Sequence, residues 1–244
     1  MSYHWGDLTI APDQTHHLKD GQPAYKARFK QVLKFHSPGL APVRDVSGAY
    51  HIRSTGRAAY KERYTRAFGF YEERAAVQAD NSWFHILADG RLLYSERYSW
   101  CGNFQEGRCA VRRSDGVYFH LRSDGIVAYP DCYRYVGDYR DGIAVVQQES
   151  GLHTHLNLEG HQLHGRWFLD LDVFHKRYAR ARDDGGWHHV DMRGQSIYDR
   201  RFAAVEPFYN GQVRVEDFDG SLLVINEVGE TIVRLREGCP TLLL

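Results

Sequence analysis

Apolar and polar residues alternate in short runs along the whole chain, and each run is soon cut by Gly, Asn or Asp. Nowhere do apolar residues keep the spacing of an amphipathic helix. The stretch SWFHILADGRLLY, residues 82–94, is representative. Two apolar strands meet at Asp89-Gly90, a pair suited to the positive φ angles of a two-residue hairpin turn. The pattern predicts an all-β protein built of many short strands.

The hairpins recur. Their turn glycines are Gly21, Gly56, Gly90, Gly125, Gly160, Gly194 and Gly229, in steps of 34 or 35 residues. Four residues beyond each stand Tyr25, Tyr60, Tyr94, Tyr129, His164, Tyr198 and Val233. Eight beyond stand Phe29, Tyr64, Tyr98, Tyr133, Phe168 and Phe202, and fourteen beyond stand Phe35, Phe70, Phe104, Tyr139, Phe174 and Phe208. Three aromatic registers kept along the chain define a repeat architecture. Each unit of about 35 residues reads as four short strands. The first carries aromatics at both ends and a small apolar residue on the opposite parity (Val32, Ala67, Cys101, Val136, Leu171, Val205), so both its faces are buried, as stacked sheets require. The second has the form G-x-A-x-V, as in Gly142-Ile143-Ala144-Val145-Val146.

Four-stranded units in series close into a ring or stay open. Seven hairpins are separated by six strand pairs, so one unit is split; in a ring, the last hairpin, SLLVINEVGETIV, is completed by the strand around Trp5 to Ile10. The expectation is a single domain over residues 1–238, a closed β-propeller of seven blades, with six blades next and an open β-solenoid as the alternative. Residues 239–244, CPTLLL, form a tail outside the repeat.

The unit resembles the bacterial WG repeat (KWG type), which looks like W-G-Y-I-D-x-x-G-K-x-V-I followed by Y-D-x-V-x-P-F-x-E-G-L-A-V-V. The second strand and the aromatic before it match best, in NFQEGRCAV, DYRDGIAVV and PFYNGQVRV. The resemblance spans Thr15 to Val233, although tryptophan survives at the W position only as Trp83 and Trp187 and the following Gly is absent. It implies an interaction module and carries over no catalytic residue.

Composition narrows the function further. Hydrophobic residues make up 43% of 244 and aromatics 14%, ample for a packed core. Lys plus Arg equal Asp plus Glu at 31 each, so no global field favours nucleic acid. There is no basic-then-apolar leader and no apolar run near the roughly 20 residues that cross a bilayer, so a soluble cytoplasmic protein without membrane contact is expected. Cys101, Cys109, Cys132 and Cys239 include no C-x-x-C pair, and Cys101 and Cys109 sit in small apolar registers rather than as nucleophiles. G-x-S-x-G, G-x-x-x-x-G-K-[ST] and H-E-x-x-H are missing, so the expectation is a non-enzyme without a cofactor.

The chemistry that remains is histidine, 14 in all. Five residues before the turn glycines stand His16, His51, His85, His120, His155 and His189, with Val224 in the seventh unit. One reading is packing: an imidazole in a half-buried strand position satisfies its nitrogens on a neighbouring strand. The other is a ring of imidazoles lining a channel and binding a metal or, when protonated, anions. A zinc or nickel site from His153, His155 and His189 is a narrower version, since His153 and His155 share a strand face. Seven residues after the glycines stand Arg28, Arg63, Arg97 and Arg201, either stacking and pairing locally or forming a rim for anions and acidic peptides. Asp170, Asp172 and Asp191 depart from the repeat and mark one segment as irregular. The expected function is a protein- or peptide-binding scaffold. The alternatives are a small-ligand or metal-binding domain using the histidines, and an accessory domain of a catalytic partner such as a methyltransferase.

Overall fold

The chain reverses where residues tolerate positive φ. Asp80-Asn81, Glu106-Gly107, Asp141-Gly142 and Asn210-Gly211 each hold both turn residues there, which matches the twist of the strands they join. In the computed structural model, which describes residues 4–238, these reversals give seven small antiparallel sheets; a 3-10 turn at Trp5–Asp7 is the only helical element among the described residues.

Sheet 1 contains Thr9–Ile10, His17–Lys19 and Gln22–Pro23. Sheets 2 to 6 share one plan: a first strand, a second, and a third that carries the repeat histidine. Sheet 2 is Gln31–Val32, Leu40–Asp45 and Gly48–Arg53; sheet 3 is Arg66–Tyr71, Arg74–Ala79 and Ser82–Ile86. Sheet 4 is Trp100–Cys101, Arg108–Arg112 and Tyr118–Arg122; sheet 5 is Tyr135–Val136, Ile143–Gln147 and His153–Asn157. Sheet 6 is Asp170–Leu171, Ala179–Asp183 and Gly186–Val190, and sheet 7 is Ala204–Val205, Gln212–Glu216, Leu222–Asn226 and Thr231–Arg236. Sheets 1 to 4 lie in one compact unit, Met1–Cys132, and sheets 5 to 7 in a second, Tyr133–Leu244.

The predicted four-stranded unit is corrected to three strands in sheets 2 to 6. Past the turn glycine the chain touches the third strand only at single bridges, such as Ile52 with Ala58 and Ala49 with Tyr64, or Ile86 with Leu92 and Trp83 with Tyr98. Between those points it lifts away so that the aromatic four residues past the turn reaches the next sheet. A full fourth strand forms in sheet 7, where Thr231–Arg236 pairs with Leu222–Asn226. At the other end Thr9–Ile10 pairs with the strand that follows it, Ile10 opposite His17. The tail 239–244, Cys239 included, lies outside the described residues.

Both faces of sheets 2 to 5 are buried, as the first-strand pattern required, whereas sheet 7 buries one face. One row crosses the strands as Val32–Val43–Tyr50 in sheet 2 and Cys101–Val111–Phe119 in sheet 4. The adjacent row, Pro42–His51 or Ala76–His85, faces the opposite side. Aromatics bridge the sheets edge to face, Phe29 with Tyr50, Tyr64 with Phe84 and Tyr98 with Phe119, at centroid distances of 6.3, 5.8 and 5.7 Å.

The spacing of the turn glycines follows from that stacking. The tyrosine of one unit lies on the turn glycine of the next: Tyr25 on Gly56, Tyr60 on Gly90, Tyr94 on Gly125 and Tyr198 on Gly229. A Cβ on Gly125 would sit 2.5 Å from Tyr94 Cδ1. The glycine therefore satisfies two constraints, a positive φ and an absent side chain. Gly21 shares the φ but has nothing within 4 Å of such a Cβ.

Gly125→Ala is therefore expected to destabilise the protein by about 2–4 kcal/mol, combining φ strain with overpacking, and Gly21→Ala by only about 1 kcal/mol. Urea denaturation of both variants measures the difference; equal losses would contradict the packing role.

Candidate functional site

The repeat histidines His51, His85, His155 and His189 are buried on the third strands of their sheets, and both ring nitrogens of each have a partner. In sheet 3, His85 Nε2 lies 3.0 Å from the Gly102 carbonyl, one residue past the first strand of sheet 4, and Nδ1 lies 2.6 Å from the Tyr94 hydroxyl. A carbonyl only accepts, so Nε2 carries the proton and Nδ1 accepts from the tyrosine. His51 donates to Phe68 O and accepts from Tyr60, and His189 donates to Glu206 O at 2.8 Å and accepts from Tyr198 at 2.5 Å. His120 pairs with Tyr129 in the same way. The aromatic fourteen residues past each glycine closes over the ring: Phe70 on His51 at 4.6 Å, Phe104 on His85 at 4.8 Å and Phe208 on His189 at 4.5 Å. His155 replaces the tyrosine with His164, whose Nε2 lies 2.9 Å from His155 Nδ1. His155 Nε2 donates to Asp172 O at 2.9 Å.

One member of the register is corrected. The first unit uses His17, not His16. His17 accepts from Tyr25 at 2.5 Å and donates to Leu33 O at 2.9 Å, because this hairpin is one residue shorter between histidine and tyrosine. His16 instead meets Thr15 Oγ1 at 3.0 Å.

His17, His51, His85, His155 and His189 are thus straps between consecutive sheets, each with its ring lone pair engaged. The proposed trio is not brought together either. His155 and His189 serve separate straps, and His153 Nδ1 is buried without a hydrogen-bond partner. Among the described residues no three His, Cys, Asp or Glu side chains are grouped to hold a metal ion. Burial holds the strap imidazoles neutral: desolvation lowers His51, His85, His155 and His189 to about 4. It also pushes the Cys101 thiol up to about 12, as expected of an inert buried cysteine.

The arginine register is local as well. Arg63 Nη1 collects the carbonyls of Tyr60, Lys61 and Glu62, and its guanidinium stacks 3.6 Å over Tyr50. Arg28 collects Tyr25, Lys26 and Ala27; Arg97 takes Ser95 and Glu96 and stacks 4.0 Å over Phe84. Arg201 takes Asp199 and Arg200 and pairs with Asp183 at 2.8 Å. These arginines lock the turn that delivers the tyrosine. The irregular acids are engaged too, Asp172 by Arg180, Asp170 by the Leu171 N–H and Asp191 by the N–H groups of Arg193 and Gln195.

The site with chemistry left over lies between sheets 2 and 3. Two cavities of about 530 and 310 Å³ adjoin there and share Gln31, Arg44 and Thr65. The larger is lined by Lys30, Arg44 and Asp45; the smaller is walled by Leu33, Pro42, Val43, Ala49 and Phe68, with Arg66 beside it. Asp45 is occupied by the Ser47 N–H and hydroxyl at 2.7 and 2.6 Å and by the Tyr50 hydroxyl at 2.7 Å. Among the described residues Lys30, Arg44 and Arg66 make no ion pair, whereas Arg91, Arg113 and Arg122 each hold a nearby aspartate. Leu33 and Phe68 are 39% and 42% exposed.

The repeat itself breaks at this point. The first strand of sheet 3 is six residues long, where sheets 2, 4, 5, 6 and 7 have two, and it carries a β-bulge between Ala67 and Phe70. The bulge turns Phe68 outward onto Trp83, stacked at 5.4 Å. Aromatic periodicity does not show this groove. The signal that does is twelve residues past the turn glycines, where apolar Leu33 and Phe68 give way to Gly102, Gly137, Asp172 and Glu206.

No protein-family model matches the chain, and no curated protein matches it. Solved structures do. The crystal structure of the eukaryotic initiation factor is similar over 89% of this chain and 68% of its own, at 9% identity and a TM-score of 0.50. BamB from Moraxella catarrhalis covers 95% and 86% at 14% identity and TM-score 0.47, and Kluyveromyces lactis Hsv2p covers 92% and 88% at 9% and 0.43. At such identities the likeness is one of fold. A string of small antiparallel sheets, similar across most of the chain to the initiation factor, fits a β-propeller. No helix among the described residues is long and apolar enough to cross a membrane.

The straps make stability depend on pH. Their folded pKa of about 4 lies below the unfolded value near 6.5, so their contribution is complete above pH about 6.5 and is lost as pH falls toward about 4. Each is worth on the order of 3 kcal/mol across that window. Urea midpoints measured through the window should fall steeply, and His85→Gln should give a shallower slope. A variant slope as steep as the parent's would contradict the assignment.

Proposed function

We propose that the chain is a non-enzymatic, protein-binding scaffold of WG-like repeats, closed into a seven-bladed propeller. Seven sheets, five of them on one plan, support the blade number. The groove between sheets 2 and 3 carries the functional reading. Elsewhere the repeat residues that looked reactive, histidines and arginines alike, are consumed by strapping sheets and turns together. Here three cations and two exposed apolar side chains line a concavity without such partners. Apolar walls with a few polar groups at the rim are what a peptide or protein partner needs. The histidine-ring reading gains no such support, since a strap imidazole would have to give up its tyrosine hydrogen bond to free a lone pair for a ligand.

A closed ring gives a small-angle scattering profile with one short maximum dimension; an elongated profile would favour the open solenoid. For the binding face, hydrogen exchange on the chain with and without its co-purified partner should show protection over residues 31–33 and 65–68. Protection confined to other segments would place the interface elsewhere.

A further inference from the structure

We propose that the groove between sheets 2 and 3 takes an acidic, apolar peptide segment of a partner protein, its carboxylate held by Arg44 with Lys30 or Arg66 and its apolar side chain seated between Leu33 and Phe68. The proposal rests on the protein-binding reading and adds the chemistry of the ligand. Charge comes first. Lys30 and Arg44 line one cavity and Arg44 and Arg66 the other, all exposed and without an ion pair among the described residues. The one acid in the lining, Asp45, is spent on Ser47 and Tyr50. The linings therefore set three cations against one carboxylate, a net positive balance in a chain whose overall balance is +0.

The second argument is shape. A cavity of about 310 Å³ walled by Leu33, Pro42, Val43, Ala49 and Phe68 has room for one aliphatic or aromatic side chain, and burying it there removes apolar surface on both partners from water. Guanidinium groups recognise carboxylates through paired N–H donors, so Arg44 and Arg66 suit Asp or Glu beside that anchor. A nucleic-acid phosphate would satisfy the cations but not the apolar wall, and a tract-binding surface needs more than three of them. The bulge is the third argument. It occurs in this first strand alone among sheets 2 to 7 with paired first strands of known register, and it is what presents Phe68 to the cavity.

The test is selection of a random-peptide display library on the full chain, followed by binding of the enriched peptides to Arg44→Gln/Arg66→Gln and to Phe68→Ser. The altered side chains are exposed, so thermal melts should match the parent's. Enriched peptides should place Asp or Glu beside an aliphatic or aromatic residue, weaken with salt, and lose about tenfold or more in affinity to either variant. Arg44→Lys/Arg66→Lys should restore part of the loss. Peptides without acidic residues that still depend on Phe68 would overturn the ligand class while leaving the protein-binding reading intact. Peptides insensitive to both variants, or no enrichment at all, would overturn both. A labelled single-stranded oligouridylate that binds the parent and is lost with the double arginine variant would assign the groove to nucleic acid and overturn the proposal.

Discussion

A neutral imidazole that donates from one nitrogen and accepts at the other ties sheets 1, 2, 3, 5 and 6 each to its successor. The other repeat features follow from keeping that ring in place. The carbonyl it reaches lies on or one residue past the next first strand, the tyrosine that donates to it lies past its own turn, and a phenylalanine from the next unit closes over it. Removing any one partner leaves a buried nitrogen unpaired, which costs about 1–3 kcal/mol. His164 shows that the requirement is a donor at that point in space and not a phenol, since its Nε2 supplies the same hydrogen bond to His155. An apolar member also works: Val224 stands in the strap position of the last sheet, which instead gains the extra strand Thr231–Arg236.

A structure whose polar repeat positions are all engaged internally can offer function only where the repeat departs from itself. Departures of composition and of geometry are different things. The acids at 170, 172 and 191 depart in composition, yet each is absorbed by a neighbour, Asp172 most fully by Arg180. The first strand of sheet 3 departs in geometry, by length and by a bulge, and there the neighbouring cations are left unpaired. The second kind of irregularity creates a surface; the first is absorbed by backbone N–H groups and one ion pair.

Fold class, repeat length and the burial of both sheet faces were legible in the sequence because each rests on periodicity, and the three aromatic registers fix it at every unit. The fourth strand was not legible. Hairpin chemistry at Asp89-Gly90 or Asp124-Gly125 predicts two paired strands, but the returning one is pulled off the sheet by its tyrosine, a tertiary demand with no local signature. The histidines were visible as a register and their inward role was among the readings open, while the slip from His16 to His17 turned on one residue of hairpin length. Arg28, Arg63, Arg97 and Arg201 were visible as a set, but sequence spacing could not show that their guanidiniums fold back onto the preceding carbonyls. Lys30, Arg44 and Arg66 share no register at all, so only the folded chain brings them to one groove.

The seating of each tyrosine on the following glycine also bears on how such a chain changes its size. Because the junctions at Gly56, Gly90 and Gly125 are made of the same pair, excising one whole period of 34 or 35 residues between them rejoins a tyrosine to a glycine of like geometry. Excising a fraction of a period leaves a ring facing a Cβ or an empty seat. At these junctions whole periods are therefore the unit in which chain can be removed, and the cut need not coincide with the edge of a sheet.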